Sequence, residues 1–325
     1  MTQPPTIPVH FILLPGFLLL DFAGPAEALR IANQHGGRFE LHYCGPEAMP
    51  QSSLGMALDG IEPLPGQLPA QGWVIIPGLA GAMAAQSAAA ARQTVAWLQQ
   101  LCPAGQPWPH GQLITICSAA LLAGAAGLLD HRRCTTHHTL VEKLQQIAPN
   151  ARVENDRVFV LDGEIASSAG ITTGIDLALE LIARQCGPKL ALAVAREMVV
   201  WLRRDSATPQ HSPFLAYRNH LHPAVHRVQD AISAEPARPW PLEAMASIAC
   251  VSPRHLARLF RQHAGVSPLD YYQQIQLAQI EPLLTLRDWS LERIAEAGGF
   301  GSARDLRRVW QKQRTTPLRR PAETH

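Results

Sequence analysis

A cysteine at the end of an apolar run is the first residue whose position suggests chemistry. The stretch QLITIC, residues 112–117, has the character of a buried strand up to Ile116, and a segment rich in Ala, Leu and Gly follows Cys117 and Ser118 at once. A strand that turns sharply into a small-residue helix is how many hydrolases present a nucleophile. The start of a helix also lowers a thiol pKa. Cys117 is therefore predicted to be either a nucleophile or part of a binding pocket.

Alternating strand-like and helix-like segments must position this turn. We predict strands at 9–14, 39–44, 73–76, 113–116 and 158–161, and helices at 25–34, 84–101 and 176–186. This alternation, with nearly continuous apolar strands, predicts an α/β fold with a doubly wound parallel sheet covered on both faces. Strand carboxyl ends in such a sheet meet at one crevice. Asp21, which follows the first strand, and Gly78 and Leu79, which follow another, are therefore expected near Cys117.

Charge and composition divide the chain of 325 residues into two domains. Residues 1–221 carry 14 basic and 16 acidic residues, whereas residues 222–325 carry 14 basic and 10 acidic ones. Residues 203–221 are rich in Pro, Ser, Thr and Gln and lose all periodicity, so we predict domains at 1–202 and 222–325 joined by this linker. The basic excess of the second domain favours a polyanionic partner; a solvated basic face is the alternative.

Cysteine usage and the N-terminus bear on the compartment. Six cysteines are scattered without a CxxC pair, as is typical of a reducing cytoplasm. The apolar run 11–20 is broken by Pro15 and Gly16, and no basic segment precedes it, so we expect neither a signal peptide nor a membrane span. We predict a cytoplasmic protein without a membrane partner.

Two histidine groups have spacings that a metal could use, and we predict no metal and no cofactor at either. His220, His222 and His226 are more simply an exposed polar helix start. The second group lies in the stretch HRRCTTHH, in which a cysteine and three histidines could suggest zinc: His131, Cys134, His137 and His138.

The second domain contains an internal repeat. The stretch LEAMASIACVSPRHLARLF, 242–260, matches LERIAEAGGFGSARDLRRVW, 291–310, at an offset of about 49–50 positions. Each copy is a short amphipathic helix, a small-residue turn and a second helix that opens on Ser252 or Ser302, both predicted N-caps. Pro253 suits the first helical position, and Asp305 could complete a capping box with Ser302. The pattern is that of a helix-turn-helix, whose second helix enters the major groove.

Two such units joined by a helix resemble the DNA-binding domain of the AraC/XylS family of transcription regulators. CVSPRHLARLFRQHAGVSPLDYY matches the first unit of that family closely, and IAEAGGFGSARDLRRVWQK matches the second less well. Gln276 stands where that family usually has an arginine, and Pro282 interrupts the helix between the units. A helical domain that docks on another protein is the alternative.

The first domain is similar to the PfpI-like branch of the class I glutamine amidotransferase superfamily, which has a flavodoxin-like fold. The stretch AAGLLDHRRCTTHH and the later SSAGITTGIDLALELI, within 125–182, are especially like the GlxA-like group, in which such a domain precedes an AraC-type one. The resemblance implies that Cys117 is the elbow thiol and His137 its neighbour. It places Asp21 where the hydrolases usually have a glutamate.

From this resemblance we expect a sequence-specific DNA-binding transcription regulator with a small-molecule effector pocket. The expected pocket residues are Asp21, Gly78, Leu79, Cys117, Ser118 and His137. The Ser118 and Leu79 N–H groups are expected to face a carboxylate or an oxyanion. The alternatives are a cysteine hydrolase or amidase with Cys117 and His137 catalytic, an inert remnant, and a redox sensor based on Cys117.

The resemblance also implies the partners. These are double-stranded promoter or operator DNA, a nitrogenous metabolite as effector, a second copy of the chain in a homodimer, and RNA polymerase in the case of an activator. The residues expected at the DNA interface belong to the second helix of each unit or cap it: Ser252, Arg254, His255, Arg258, Ser302, Arg304, Asp305, Arg307 and Arg308. Arg319 and Arg320 are expected to contact phosphates.

Overall fold

Apolar runs with β-type composition form the central sheet of the first unit, which spans Met1–Gln210 in the computed structural model; the second unit spans His211–His325. The structure describes residues 5–81, 88–200, 204–206, 208, 210, 213–285, 288–314 and 318. The strands are β1 Ile7–Ile12, β2 Phe39–Gly45, β3 Glu62–Pro63, β4 Trp73–Ile76, β5 Gln112–Ile116, β6 Arg133–Cys134, β7 Arg152–Val153, β8 Phe159–Asp162 and β9 Ile165–Ser168. The helices of this unit are α1 Leu19–Gln34, α2 Ala88–Leu101, α3 Ala120–Ala125, α4 Val141–Ile147, α5 Thr173–Cys186 and α6 Pro188–Glu197.

Seven of these strands form one sheet in the order β3-β2-β1-β4-β5-β9-β8. All neighbours are parallel except β8 and β9, which are antiparallel. One apolar cluster packs the sheet against α1, α5 and α6, and a second packs the other face against α2, α3 and α4. The predicted doubly wound α/β sheet is confirmed. Its central strands β1, β4, β5 and β9 end at one edge, as the crevice argument requires.

The structure differs from the sequence predictions for this unit at two elements, and one further prediction falls partly outside the described residues. Strand β9, Ile165–Ser168, was not predicted, although all four of its residues are buried. Helix α1 begins at Leu19 rather than at Pro25, which lies inside it. The predicted start of α2 at residue 84 falls outside the described residues, and the described helix begins at Ala88.

The predicted linker 203–221 is divided between the two units. Arg204 and Gln210 make hydrogen bonds within the first unit. Tyr217 belongs to the second, where its hydroxyl donates to Gln274 Oε1 and its ring packs against Tyr271. The division between the two compact units, after Gln210, falls within the predicted linker.

The second unit is helical throughout its described residues. Its α-helices are α7 Pro213–Ala216, α8 Pro223–Ala234, α9 Leu242–Ala249, α10 Pro253–His263, α11 Pro268–Ile280, α12 Leu291–Ala297 and α13 Ala303–Gln313. Helix α11 stops before Pro282, and Glu281–Thr285 continues as a 3-10 turn, as a proline interruption predicts. Two apolar clusters form around the two helix pairs, one per helix-turn-helix unit.

Candidate functional sites

Cys117 lies directly after β5 in a strained turn. Its backbone φ is +56°, a left-handed value that is uncommon for a residue other than glycine. The backbones of Gly78 and Gly170 pack against its side chain so closely that a Cβ on Gly170 would overlap that of Cys117. Cys117 is 6% exposed. The predicted elbow is present, and two glycines allow the neighbouring loops to close over it.

A fully buried carboxylate lies beside this thiol. Asp21 Oδ2 accepts a hydrogen bond from the Gly78 N–H at 3.1 Å, and Oδ1 accepts one from the Ile171 N–H at 2.6 Å. Burial raises the pKa of Asp21 to about 6, although both N–H groups act in the opposite direction. Asp21 thus joins the loops that follow β1, β4 and β9. Ile171, which makes this contact, has a φ of +56°, a rare value for a β-branched residue.

The surroundings of Cys117 stabilise its neutral thiol. Burial, together with the Asp21 charge, raises the pKa of Cys117 to about 12, although the Ser118 N–H opposes the change. A helix start was expected to lower this pKa. The expectation was wrong because burial and a neighbouring carboxylate outweigh a 3-10 turn followed by a six-residue helix.

The Leu79 N–H group, expected to face an anion, already has a partner. It donates to Ser118 Oγ at 2.7 Å, and the Ser118 hydroxyl lies 3.2 Å from the Leu79 carbonyl oxygen, to which it donates. These contacts tie the turn after β4 to the turn after β5. Gly78, Leu79, Cys117 and Ser118 are therefore brought together as predicted, but in a closed arrangement.

The segment after β6 reaches the elbow through a threonine. The Thr136 hydroxyl donates to the Cys117 carbonyl oxygen at 2.8 Å. His137 Nδ1 lies 2.8 Å from Thr139 Oγ1 and caps the 3-10 turn that follows, and its ring packs against that of His138. Thr136 thus contacts the elbow backbone directly.

Sequence reasoning missed Thr136, Gly170 and Ile171 as site residues. The signal was available, since all three lie in the stretches CTTHH and SSAGITTG that carry the family resemblance. Gly170 and Ile171 follow strand β9, which the sequence did not predict, so nothing placed them at the carboxyl edge of the sheet.

Both second helices of the repeat begin as predicted. Ser252 Oγ accepts from the His255 N–H at 3.3 Å, with Pro253 in the first turn. Ser302 Oγ accepts from the Asp305 N–H at 3.1 Å, and the Ser302 hydroxyl lies 3.4 Å from the Asp305 carboxylate. These contacts confirm the two predicted N-caps.

Charged residues form an exposed stripe on each of these helices. Arg254, Arg258 and Arg261 lie one turn apart on α10, together with Ala257 and Gln262. On α13 the exposed side chains are Arg304, Arg307, Arg308, Gln311 and Lys312. The inner faces of the two helices, which helical spacing sets apart from these stripes, are buried: Leu256, Leu259, Phe260, Leu306 and Trp310.

Several polar residues of this unit are held by neighbours. Arg308 Nη2 lies 3.4 Å from Asp305 Oδ1, and Lys312 Nζ lies 2.7 Å from Asp270 Oδ1. The amide of the buried Gln276 donates to the Gly298 carbonyl oxygen at 2.9 Å, which ties α11 to the turn of the second helix-turn-helix. Gln276 stands at the position where the resemblance leads one to expect an arginine. Arg319 and Arg320 lie outside the described residues.

The histidines near residue 220 form a cluster rather than an exposed helix start. The His220 and His226 rings lie 4.5 Å apart, and the His222 ring lies 4.5 Å from that of His263 at the end of α10. Cys134, by contrast, is fully buried in the core of the first unit. No group of three or more His, Cys, Asp or Glu side chains suited to a metal occurs among the described residues.

Family models match both units. A DJ-1/PfpI family model matches residues 9–184, and a helix-turn-helix domain model matches residues 245–320. In the described part of the chain, no helix has the length and apolar character that crossing a membrane requires.

Two transcription regulators are similar to this chain over most of their length. The HTH-type transcriptional regulator GlxA of Rhizobium meliloti is 31% identical over 297 residues, which are 90% of this chain and 89% of the relative. The HTH-type transcriptional regulator CdhR of Pseudomonas aeruginosa is 30% identical over 329 residues, 97% and 94% of the two chains. A solved AraC family transcriptional regulator from Pseudomonas putida superposes with a TM-score of 0.51 at 23% identity, covers 59% of this chain and 99% of its own, and supports the α/β fold.

Proposed function

Because the chain belongs to the DJ-1/PfpI family, among the DNA-binding transcription regulators with an AraC-type helix-turn-helix domain, we propose that its first unit is a non-catalytic receptor for a small metabolite. The metabolite controls how the second unit binds operator DNA. One observation carries the non-catalytic assignment: the Cys117 thiol is buried and its pKa is about 12. A thiolate nucleophile is therefore disfavoured at neutral pH.

The neighbours of the thiol support the same assignment. A catalytic elbow needs a base within hydrogen-bond reach of the nucleophile and free donors for an oxyanion. Here the buried neighbour is Asp21, whose own charge disfavours the thiolate, and it already accepts from two backbone N–H groups. We place the effector at this elbow, next to Asp21, Gly78, Leu79, Cys117 and Ser118, with His137 at its margin. The effector class we favour is a nitrogenous metabolite, because a buried carboxylate attracts hydrogen-bond donors and cations.

The test of the receptor function is a metabolite panel screened by thermal shift against the full chain, followed by DNA binding with each hit. A hit should shift both the melting temperature and the DNA affinity, and Cys117→Ala should change the response to the hit while DNA binding persists. Steady turnover of an amide, ester or peptide that Cys117→Ala abolishes would instead establish the cysteine hydrolase. The strained φ of Cys117, typical of a nucleophile elbow, is the observation that keeps this second candidate.

At the DNA, we propose that α10 and α13 enter the major groove of one half-site. Arg254, His255 and Arg258 on α10 and Arg304, Arg307 and Arg308 on α13 are exposed along one face of each helix. Ser252, Ser302 and Asp305 cap these helices and set their orientation. In a homodimer, each copy of the chain reads one of two half-sites. A contact with RNA polymerase would follow only for an activator.

The DNA assignment is tested by binding-site selection with variants at two salt concentrations. Arg254→Ala should relax the preference at one base position, because a bidentate arginine–guanine pair contributes about 1–3 kcal/mol of discrimination. Arg304→Ala should act at a second position. Wild-type preference and affinity in both variants would show that these helix faces do not read bases. Sedimentation of the wild-type protein with a two-half-site duplex tests the homodimer.

A further inference from the structure

The chain leaves the first unit through a short segment that contacts the loops around Cys117. We call residues 204–210 the exit segment; its described residues are 204–206, 208 and 210. Immediately after Gln210 the second unit begins. The exit segment is therefore the covalent route from the elbow to the DNA-binding unit, and its hydrogen bonds decide what it can transmit.

One branch of contacts runs through Arg204. Its guanidinium group binds the Asp176 carboxylate of α5 at 2.6 and 2.9 Å, and its backbone N–H donates to the same carboxylate at 3.0 Å. The guanidinium also donates to Thr172 Oγ1 at 2.8 Å. Thr172 directly follows Ile171, whose N–H binds Asp21. A change at Asp21 thus reaches Arg204 through two adjacent residues.

A second branch runs through Gln210. Its side-chain amide donates to the Thr136 carbonyl oxygen at 2.9 Å, and its Oε1 accepts from the His138 N–H at 2.9 Å. The Thr136 hydroxyl in turn donates to the Cys117 carbonyl oxygen at 2.8 Å. Thr136 is fully buried, so its two bonds hold the exit segment and the elbow backbone in one arrangement.

Both branches end on residues with strained backbones. Cys117 and Ile171 each have a φ of +56°. Such conformations persist only while surrounding contacts hold them, and they concentrate where a structure switches between arrangements. The Thr136 hydroxyl, which donates to Cys117, and the Asp21 carboxylate, which accepts from Ile171, help to hold these two residues.

We propose that the exit segment transmits the state of the elbow to the DNA-binding unit, through Arg204 on one side and Gln210 on the other. The inference rests on the proposed function in placing the effector at the elbow. An effector that enters there must displace the turn after β5, which Thr136 holds, and the loop after β9, which carries Thr172. Thr136 and Thr172 are both hydrogen-bond partners of the exit segment. Ligand binding is thereby coupled to the point where the chain enters the second unit.

The first experiment measures hydrogen exchange in the full chain with an altered elbow. Asp21→Asn replaces one carboxylate oxygen by an NH₂ group that cannot accept from a backbone N–H. We expect faster exchange in peptides that cover 169–173 and also in those that cover the exit segment, with no change in 141–151. Cys117→Ala is the second variant, in case Asp21→Asn does not fold. Faster exchange at 169–173 with an unchanged exit segment overturns the proposal.

The second experiment measures DNA binding to a duplex that the wild-type chain selects from a random pool. Asp21→Asn should change the dissociation constant at least about fivefold, the low end of typical allosteric coupling. In the Gln210→Ala background this change should largely disappear. The matched control is Gln145→Ala, because the Gln145 amide also donates to backbone carbonyls, those of Ala148, Pro149 and Ala151, but lies on α4. The change should persist in that background.

The outcomes separate the two proposals. An Asp21→Asn effect of equal size in the wild-type and Gln210→Ala backgrounds overturns transmission by the exit segment and leaves elbow control of DNA binding intact. An unchanged dissociation constant for Asp21→Asn overturns the exit-segment proposal. Elbow control fails separately, if no metabolite of the panel changes the DNA affinity of the wild-type chain.

Discussion

Two cysteines of this chain share one backbone conformation and have opposite surroundings. Cys117, at the elbow of the first unit, has a φ of +56°, and Cys250, in the turn of the first helix-turn-helix, has a φ of +55°. Cys117 is buried between glycine backbones, whereas Cys250 is exposed and ends α9. A left-handed cysteine is thus not by itself a mark of reactivity. What the chain packs around the turn decides what the thiol can do.

The largest expected difference between the two cysteines is in the rate of thiol modification. A pKa raised from 9.0 to about 12 leaves Cys117 with about a thousandfold less thiolate at neutral pH than an unshifted thiol, and burial slows access further. We expect Cys250 to be alkylated well before Cys117, which reverses the order that a helix-start argument gives for these two residues. Mass mapping after a timed iodoacetamide pulse measures this order, with Cys250→Ser as the control. Modification of both residues at similar rates would contradict a sealed elbow, and reversible peroxide control of DNA binding through Cys117 would revive the redox sensor.

The next largest expected effect measures how much the close packing around Cys117 contributes to stability. Gly170→Ala adds a methyl group that overlaps the Cys117 side chain, at a φ of +96°. We expect a loss of about 3 kcal/mol in the free energy of unfolding of the first unit, from overpacking and from the left-handed backbone together. Gly265→Ala is the matched control, since it has a φ of +74° and no atom within 4 Å. It should cost about 1 kcal/mol, for the backbone alone. Equal losses would mean that close packing at the elbow contributes nothing.

The elbow was only partly predictable, for a physical reason. Strand Trp73–Ile76 and the position of Cys117 follow from apolar runs and a turn, which are local signals. Strand Ile165–Ser168 contains two serines and does not look buried in sequence, yet it pairs with β5 and brings Gly170 and Ile171 to the thiol. A thiol pKa depends on burial by such distant segments, so the local helix-start signal gave the wrong direction.

The second unit was more predictable because its signals are local. Ser252 and Ser302 cap the helices that their own sequence neighbours form, and the buried and exposed faces follow from helical spacing. The cluster of His220, His222 and His226 with His263 was missed in part, since His263 comes from a helix about forty residues away in sequence.

The pH dependence of stability should have opposite signs in the two units. The pKa of Asp21 is raised from 3.8 to about 6. Its stabilising contribution to the free energy of unfolding is therefore fully present below pH 4 and is lost as the pH rises through 6. This amounts to up to about 3 kcal/mol for two pKa units. In the second unit, burial and the neighbouring histidines lower the pKa values of His220 and His222, so their contribution is present above pH 6.5 and is lost as the pH falls.

Hydrogen exchange of peptides from each unit, measured between pH 4 and 7.5 and corrected for intrinsic rates, separates the two slopes. Asp21→Asn should remove the Asp21 contribution from the pH slope of the first unit and leave the pH slope of the second unit unchanged. The double variant His220→Gln and His222→Gln should do the reverse. Slopes of the same sign in both units would show that the buried carboxylate and the histidine cluster do not dominate.

The smallest expected effect tests whether Cys250 occupies a glycine position. The repeat offset of 49 aligns Cys250 with Gly299, which lies in the turn of the second helix-turn-helix and has a φ of +72°. A left-handed backbone costs a residue with a Cβ about 1–2 kcal/mol, and replacement by glycine relieves this strain. Glycine also raises the conformational entropy of the unfolded chain, which offsets about 0.5–1 kcal/mol of the gain. Cys250→Gly should therefore stabilise the second unit by about 0.5–1 kcal/mol in urea unfolding. The reciprocal change, Gly299→Ala, should destabilise it, because the added methyl group would overlap the Ala237 carbonyl oxygen. A loss of stability in Cys250→Gly would mean that the exposed thiol makes a contact in this turn that outweighs the strain, and the parallel between the two turns would then fail.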